Sequence, residues 1–190
     1  GGAERALYNV LAGGLAVSDD TAVLSLRDEG TYGSRIRVLG VPVYTLGLRR
    51  GLPGPAAIWR LQRLIREIRP EVIQGWMYHG NLAASMAARL TPGTRPAVAW
   101  NIRHSLYSVS REKLLTRQVI KVNRWASKGA DAVVYNSRLS REQHETFGFA
   151  PERGQVIPNG FDTEQLCPDP ERGRAIREAL AIPLEATVIG

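Results

Sequence analysis

Short apolar runs rich in β-branched residues alternate along the chain with longer segments in which apolar residues recur every three or four positions. The short runs are typical of strands buried on both faces, and the longer segments are typical of helices packed on a sheet. We therefore predict strands over Thr21–Leu26, Val41–Leu46, Glu71–Trp76, Ala97–Ile102, Asp131–Tyr135 and Gln155–Ile157. Helices are predicted over Ala3–Ala12, Pro55–Arg69, Asn81–Leu90, Arg111–Lys128, Ser137–Phe147 and Pro170–Ala181, with a last short strand at Ala186–Ile189.

This alternation indicates an α/β fold with a Rossmann-like, doubly wound and mostly parallel sheet. A helix opens the chain with no strand before it, although the strand before the first helix is normally central in such a sheet. We therefore expect the first strand to be missing. The segment Cys167–Pro170 has the composition of a linker. We predict one domain over residues 1–166, with a linker and the truncated start of a second domain over 167–190.

Composition narrows the class of protein. The chain has 190 residues, a net charge of +7 and one cysteine, which excludes an internal disulfide and a cysteine-based metal cluster. No apolar run approaches the roughly 20 residues that cross a bilayer, and the N-terminus lacks a signal-peptide pattern. The chain does not begin with Met, which suggests a fragment, and a cytoplasmic location fits best. The basic charge favours anionic partners such as nucleotides or phospholipid headgroups.

Two glycines, Gly1 and Gly2, precede the first predicted helix. Glycines in that position let backbone N–H groups approach an anion, with help from the helix dipole. A flexible turn is the other interpretation, and the pair alone does not decide between them.

Aromatic and polar residues follow the predicted strand at Glu71–Trp76. Trp76, Tyr78, His79 and Asn81 lie at the carboxyl edge of the sheet, where open α/β folds bind ligands. Aromatic faces stack on sugars and polar tips bind hydroxyls, so this segment favours sugar binding over a loop packed by its own aromatic side chains.

The next strand ends in Asn101-Ile102-Arg103-His104, which brings His104 to the same edge as His79. A histidine there can donate to a sugar hydroxyl or help to hold a diphosphate, and it can equally be hydrogen-bonded to the backbone. His144 falls in a polar helical segment and is predicted to be a solvated surface residue.

The helix predicted over Arg111–Lys128 has a basic edge. At about 100° per residue, five cationic side chains fall within an arc of roughly 80°. They are Lys113, Arg117, Lys121, Arg124 and Lys128. An adjoining apolar arc, with Ile120 outside it, is expected to face the core. The basic arc is then either a solvated face or a membrane-facing surface for anionic headgroups.

Five segments in this order resemble the N-terminal half of the family 4 glycosyltransferases of GT-B fold. The five are Gly-Gly-Ala-Glu-Arg, Gln-Gly-Trp-Met-Tyr-His-Gly-Asn, Asn-Ile-Arg-His-Ser, Val-Tyr-Asn-Ser-Arg and Val-Ile-Pro-Asn-Gly-Phe-Asp-Thr. The resemblance implies two Rossmann-like domains across a cleft. The N-terminal one mainly binds the acceptor, and the C-terminal one binds most of a nucleotide-diphosphate sugar.

The resemblance also implies roles for residues. His104 is the catalytic candidate that contacts the donor sugar, Gly1, Gly2, Arg103 and Asn159 lie toward the donor, and Trp76, Tyr78, His79 and Asn81 lie toward the acceptor. Asn159 precedes the crossover between domains. The implied reaction is hexosyl transfer with retention of configuration, without a metal or other cofactor. A glycan or lipid-linked acceptor in cell-surface polysaccharide or lipopolysaccharide synthesis would place the bacterial enzyme at the cytoplasmic membrane face.

Other functions stay open at this point. A sugar-nucleotide epimerase or hydrolase can use the same fold, and so can a non-enzymatic module that binds a nucleotide or a membrane. Walker loops, zinc sites, nucleophile elbows and RNA-binding signatures are absent from the sequence, so a nucleic-acid partner is not predicted.

Overall fold

The computed structural model describes residues 2–18, 20–48, 54–164 and 166–189. Its helices are α1 (Gly2–Val10), α2 (Ala16–Ser18), α3 (Gly33–Val38), α4 (Pro55–Ile68), α5 (Met77–Leu90), α6 (Leu114–Ala126), α7 (Arg138–Phe147) and α8 (Pro170–Ala179). Its strands are β1 (Val23–Ser25), β2 (Val43–Thr45), β3 (Val72–Trp76), β4 (Ala97–Ile102), β5 (Ala132–Tyr135) and β6 (Gly154–Val156).

All the strand pairs in the described residues are parallel. Strands β3, β4, β5 and β6 form one sheet in that order, while β1 and β2 form a second sheet of two strands. The registers pair Trp76 with Asn101, Ile102 with Tyr135, and Tyr135 with Val156. The predicted α/β architecture with a parallel sheet is confirmed, with the difference that the described strands divide into two sheets.

The core of the larger sheet is built from the apolar side chains of β4 and β5. Trp100, Ile102, Val133 and Tyr135 are fully buried among residues from α5 and α6. The indole N–H of Trp100 donates to Ser85 Oγ at 3.0 Å, so the largest buried side chain keeps a partner for its polar atom.

A second cluster lies between the two sheets. Leu46, after β2, is buried with Leu61 and Ile65 from α4 and Ala87 from α5. Leu24 of β1 and Ile73 of β3 pack against this cluster, so both sheets share buried apolar contacts.

Several predicted boundaries are wrong. Helix α5 begins at Met77, directly after β3, because Gly75 lets the first turn of the helix approach the strand closely. Helix α3 was not predicted, and α1 continues into a π-helical turn over Leu11–Leu15 that contains Gly14 at φ 127°. No strand forms over 186–189 in the described part of the chain, where these residues have no strand partner.

The chain divides into two compact units, residues 1–159 and 160–190. The second contains α8, which begins at Pro170 with Asp169 as its N-cap. Asp169 Oδ1 accepts from the backbone N–H of Arg172 at 2.9 Å. The segment Cys167–Pro170, which has the composition of a linker, therefore ends at the first residue of a capped helix. The assignment of 167–190 to the start of a second domain stays a prediction.

Candidate functional site at the carboxyl edge of the sheet

The carboxyl ends of β3, β4, β5 and β6 lie at one edge of the sheet because the four strands are parallel. Trp76 ends β3, and Arg103 and His104 follow β4. Asn159 lies three residues after the end of β6. This edge therefore gathers Trp76, Arg103, His104 and Asn159 from the residues predicted for the site.

Arg103 connects three parts of this edge. Its guanidinium carbon lies 5.1 Å from the centre of the Trp76 ring, and its Nε donates to Asn101 Oδ1 at 2.8 Å. Another guanidinium N–H donates to Asn159 Oδ1. Burial lowers the pKa of Arg103 from its very high ordinary value, which leaves the group cationic. The two predicted donor-side residues Arg103 and Asn159 are thus in direct contact.

His104 has an imidazole that is about half exposed and paired with a carboxylate. Its Nε2 lies 3.2 Å from Glu112 Oε1. Glu112 was missed by the sequence analysis because it stands among basic residues just before α6, where a lone carboxylate gives no pattern. The backbone carbonyl of His104 accepts from Ser140 Oγ at 2.7 Å.

His144 is buried, so its prediction as a solvated surface residue is wrong. Its Nδ1 lies 2.7 Å from the Ser140 carbonyl and its Nε2 lies 2.8 Å from the Tyr78 hydroxyl. A carbonyl only accepts, so Nδ1 carries the proton and Nε2 accepts from Tyr78. Burial lowers the pKa of His144 to about 4, and burial also raises the pKa of Tyr78 well above its usual range.

Asn81 is fully buried. Its Oδ1 accepts from the Asn101 backbone N–H at 3.3 Å, which ties α5 to β4. The segment between the predicted strand and the predicted helix forms the first turn of α5. At this end of the helix, the side chains of Tyr78 and Asn81 are buried. Trp76 is half-buried and His79 is exposed, so these two of the four acceptor-side residues reach solvent. The acceptor role of all four stays a prediction.

Of the two N-terminal glycines, the structure describes Gly2. Gly2 is the first residue of α1 and is exposed, with open space around its Cα. Gly1 lies outside the described residues. The donor-side role of both glycines stays a prediction.

Helix α6 buries a face that overlaps the predicted apolar arc only at one edge, where Val119 and Ala126 pack against the core. Ile120 and Asn123 are its buried residues, and Asn123 Nδ2 donates to the carbonyls of Tyr78 and Val119 at 3.1 and 2.8 Å. The apolar arc expected to face the core is exposed at four of its positions. They are Leu114, Leu115, Val122 and Trp125. The inward face uses a polar side chain because α5 offers Asn123 a backbone acceptor.

The exposed side of α6 is therefore both apolar and basic. Lys113, Lys121, Arg124 and Lys128 are exposed and Arg117 is half-buried. Within the described residues, no helix is long and apolar enough to span a membrane. No group of three His, Cys, Asp or Glu side chains is placed to hold a metal ion in this part of the chain either.

The fold matches three structures of the Anabaena protein HepE. The HepE complex with UDP matches at a TM-score of 0.74 and 19% identity, and the complex with UDP-glucose at 0.73 and 21%. The complex with UDP and glucose matches at 0.73 and 19%. Each match covers 95% of this chain and 46% or 47% of HepE, so the chain spans about half the length of that protein.

No curated protein matches the sequence significantly. The family model described as Glycosyltransferase Family 4 matches residues 1–165. That match covers most of the 190 residues. The chain therefore belongs to Glycosyltransferase Family 4.

Proposed function

We propose that this chain is the acceptor-side half of a retaining glycosyltransferase that moves a hexosyl group from a nucleotide-diphosphate sugar to a glycan or lipid-linked acceptor. Family membership over residues 1–165 supports the reaction class. HepE, which shares the fold, binds UDP and UDP-glucose. The observation that carries the proposal is the cluster of Arg103, His104 and Asn159 at the carboxyl edge of the sheet.

Arg103 and His104 supply the chemistry that a sugar diphosphate needs. A guanidinium neutralises a leaving diphosphate and orients it by paired N–H donors. His104, which Glu112 orients, donates to a sugar hydroxyl and holds the donor for attack. These cationic and N–H groups provide the charge stabilisation, so the proposed reaction needs no metal.

Retention follows if both partners react on one face of the sugar. The bond from the anomeric carbon to the diphosphate oxygen breaks, and the acceptor oxygen forms its bond on the same face. The acceptor proton passes to the departing phosphate oxygen. The protein's part is positioning and charge stabilisation, which together account for large rate effects in such sites.

The test is kinetic and uses the two-domain enzyme that contains this chain. UDP-glucose is the first donor, followed by other nucleotide sugars, and both nucleotide release and glycan product are measured. We expect His104→Ala to lower turnover about 100-fold. The control is Glu152→Ala, at the exposed turn Pro151–Arg153 before β6, which should leave turnover unchanged.

Each contrary outcome supports a different function. Full activity of His104→Ala contradicts the role of His104. Sugar-nucleotide conversion without any acceptor supports an epimerase or hydrolase instead. Absence of both turnover and nucleotide-sugar binding supports a non-enzymatic module. The 190-residue chain alone is expected to be inactive, and turnover by it would contradict the proposed division of labour.

The exposed side of α6 supports a second part of the proposal, which is docking to an anionic membrane surface at the cytoplasmic face. Leu114, Leu115, Val122 and Trp125 occupy an arc of about 100° on the helix. The five cationic side chains occupy the adjoining arc. An apolar strip beside a basic strip is the pattern of interfacial helices, in which the apolar strip enters the headgroup boundary and the cations meet anionic lipids. A lipid-linked acceptor would be reached from that surface.

A further inference from the structure

His144 is a buried neutral histidine for which the roles described above leave no task. Its ring is fully buried and contacts the rings of Tyr135 and Phe149, with centroids 5.5 and 5.0 Å away. An apolar side chain would satisfy this packing without the cost of burying a polar group. Both nitrogens of His144 have hydrogen-bond partners, and an apolar side chain could not make these hydrogen bonds.

The hydrogen bonds of His144 lead to His104 along two routes. On one route, Nδ1 donates to the carbonyl of Ser140, and the hydroxyl of Ser140 donates to the carbonyl of His104 at 2.7 Å. On the other, Nε2 accepts from the Tyr78 hydroxyl. The Tyr78 ring meets the His104 imidazole edge-on, at 6.4 Å between centroids and 85° between planes. These contacts form a closed cycle of four residues, which are His104, Ser140, His144 and Tyr78.

The helices that carry this cycle of contacts have hydrogen bonds of their own. Ser137 Oγ accepts from the Ser140 backbone N–H at 3.0 Å and caps α7. Tyr78 lies in the first turn of α5, and its carbonyl accepts from Asn123 of α6. Helices α7 and α5 therefore contact His104 through Ser140 and Tyr78, and α6 is hydrogen-bonded to α5. By contrast, the far side of the His104 imidazole is exposed and is held by the Glu112 carboxylate.

We propose that Ser140, His144 and Tyr78 are positioning residues that orient His104 for the transfer reaction. This inference rests on the proposed function for its kinetic consequence, while the orientation itself is a property of the chain alone. The physical basis is that a reacting group misplaced by about 1 Å can lose as much as 100-fold in rate. The cycle of contacts fixes both the backbone and the side chain of His104, which is itself half-exposed.

The chain offers a matched pair of serine variants for the test. Ser140→Ala removes the hydroxyl that holds the His104 carbonyl and keeps the cap of α7. Ser137→Ala removes the cap and keeps every side chain of the four-residue cycle. Because Ser137→Ala also destabilises α7, the comparison separates positioning from stability. Tyr78→Phe is the second variant, which keeps the aromatic ring and removes the donor to His144.

The first readout is the imidazole ¹H–¹³C NMR resonance of His104 in the 190-residue chain, assigned with His104→Gln. Ser140→Ala and Tyr78→Phe should each move or broaden it, and Ser137→Ala should leave it in place. The second readout is kinetics of the two-domain enzyme. Ser140→Ala should lower kcat about tenfold with KM for the donor changed less than about twofold, and Ser137→Ala should change neither.

The outcomes distinguish this inference from the proposed function. The positioning role is overturned if the His104 resonance is unchanged in both Ser140→Ala and Tyr78→Phe, or if the two serine variants have equal effects. A resonance that moves in an enzyme whose His104→Ala variant stays fully active supports the orientation and overturns the catalytic role of His104. Loss of kcat in Ser140→Ala together with the moved resonance supports both.

Discussion

The guanidinium of Arg103 donates a hydrogen bond to Oδ1 of Asn159, so the residue that follows β4 is joined to the last residue of the first compact unit. The same guanidinium stacks on Trp76 and donates to Asn101. A planar group with several fixed N–H donors can make these contacts together, whereas an ammonium group cannot stack and donate in the same geometry.

The first prediction concerns this guanidinium. In the two-domain enzyme, Arg103→Lys should keep the charge but lose the stacking and the fork of donors. We expect affinity for UDP-glucose to fall about tenfold, measured by isothermal titration calorimetry. Arg95→Lys is the matched control, since one guanidinium nitrogen of Arg95 donates to both carboxylate oxygens of Asp131 at the amino ends of β4 and β5. Equal losses in both variants would contradict a specific role for Arg103.

The second prediction concerns the close approach of α5 to β3. A Cβ on Gly75 would lie 2.5 Å from Asn81 Cα and 2.7 Å from its backbone N, so Gly75→Ala forces the helix away from the strand. We expect a loss of about 1–3 kcal/mol in the free energy of unfolding, measured by urea denaturation of the chain.

Gly80 is the control for that substitution. The nearest atom to a Cβ added at Gly80 is the Gly75 carbonyl carbon of β3 at 3.7 Å, which is an ordinary van der Waals contact between α5 and β3. Gly80→Ala should therefore stabilise the helix, by up to about 1 kcal/mol. A Gly75→Ala protein as stable as Gly80→Ala would show that the strand and helix do not approach as closely as described.

The third prediction is a pH dependence of stability that originates from His144. Its pKa is lowered to about 4 from an ordinary value of 6.5, so the unfolded state binds the proton more tightly. The contribution of neutral His144 to the free energy of unfolding is fully present above pH 6.5, and it is lost as the pH falls from 6.5 to 4. The loss amounts to something on the order of 3 kcal/mol.

Urea denaturation at several pH values checks this prediction. Other groups also titrate in the window, so the relevant quantity is the difference between the natural chain and His144→Gln, which cannot gain a proton. The free energy of unfolding should fall more steeply for the natural chain. Parallel curves would mean that His144 is protonated equally in the folded and unfolded states.

The fourth prediction concerns the exposed side of α6. The variant Lys113→Glu/Lys121→Glu/Lys128→Glu should abolish binding of the chain to vesicles with anionic phospholipid, measured by cosedimentation. Trp125, which is 70% exposed, gives a separate test. Trp125→Ser should weaken binding about tenfold without altering the charge.

A charge-matched control distinguishes a docking helix from general basicity. Arg63→Glu/Arg66→Glu/Arg69→Glu makes the same charge change on exposed residues at the end of α4 and just after it. Binding should persist in this variant. Equal loss in both triple variants would indicate nonspecific attraction, and undiminished binding of the α6 variant would contradict docking by α6.

The sequence determined the class of fold and the edge at which the candidate site lies. Apolar runs such as Ala97–Ile102, set between helical periods, require parallel strands joined by crossover helices, and parallel strands bring their carboxyl ends together. Arg103 and His104 could be assigned to that edge because they directly follow such a run. Strand and helix periodicity is local, so it can be read without knowing what packs where.

Only the tertiary structure decided which polar residues are buried and which apolar residues are exposed. His144 and Asn123 are buried where distant groups offer them hydrogen bonds: the Tyr78 hydroxyl donates to His144 Nε2, and the Tyr78 carbonyl accepts from Asn123 Nδ2. Leu114 and Trp125 are exposed because α6 turns the face with Ile120 and Asn123 inward. Burial of a polar side chain depends on a partner from another element, and neither helical period nor composition contains that information.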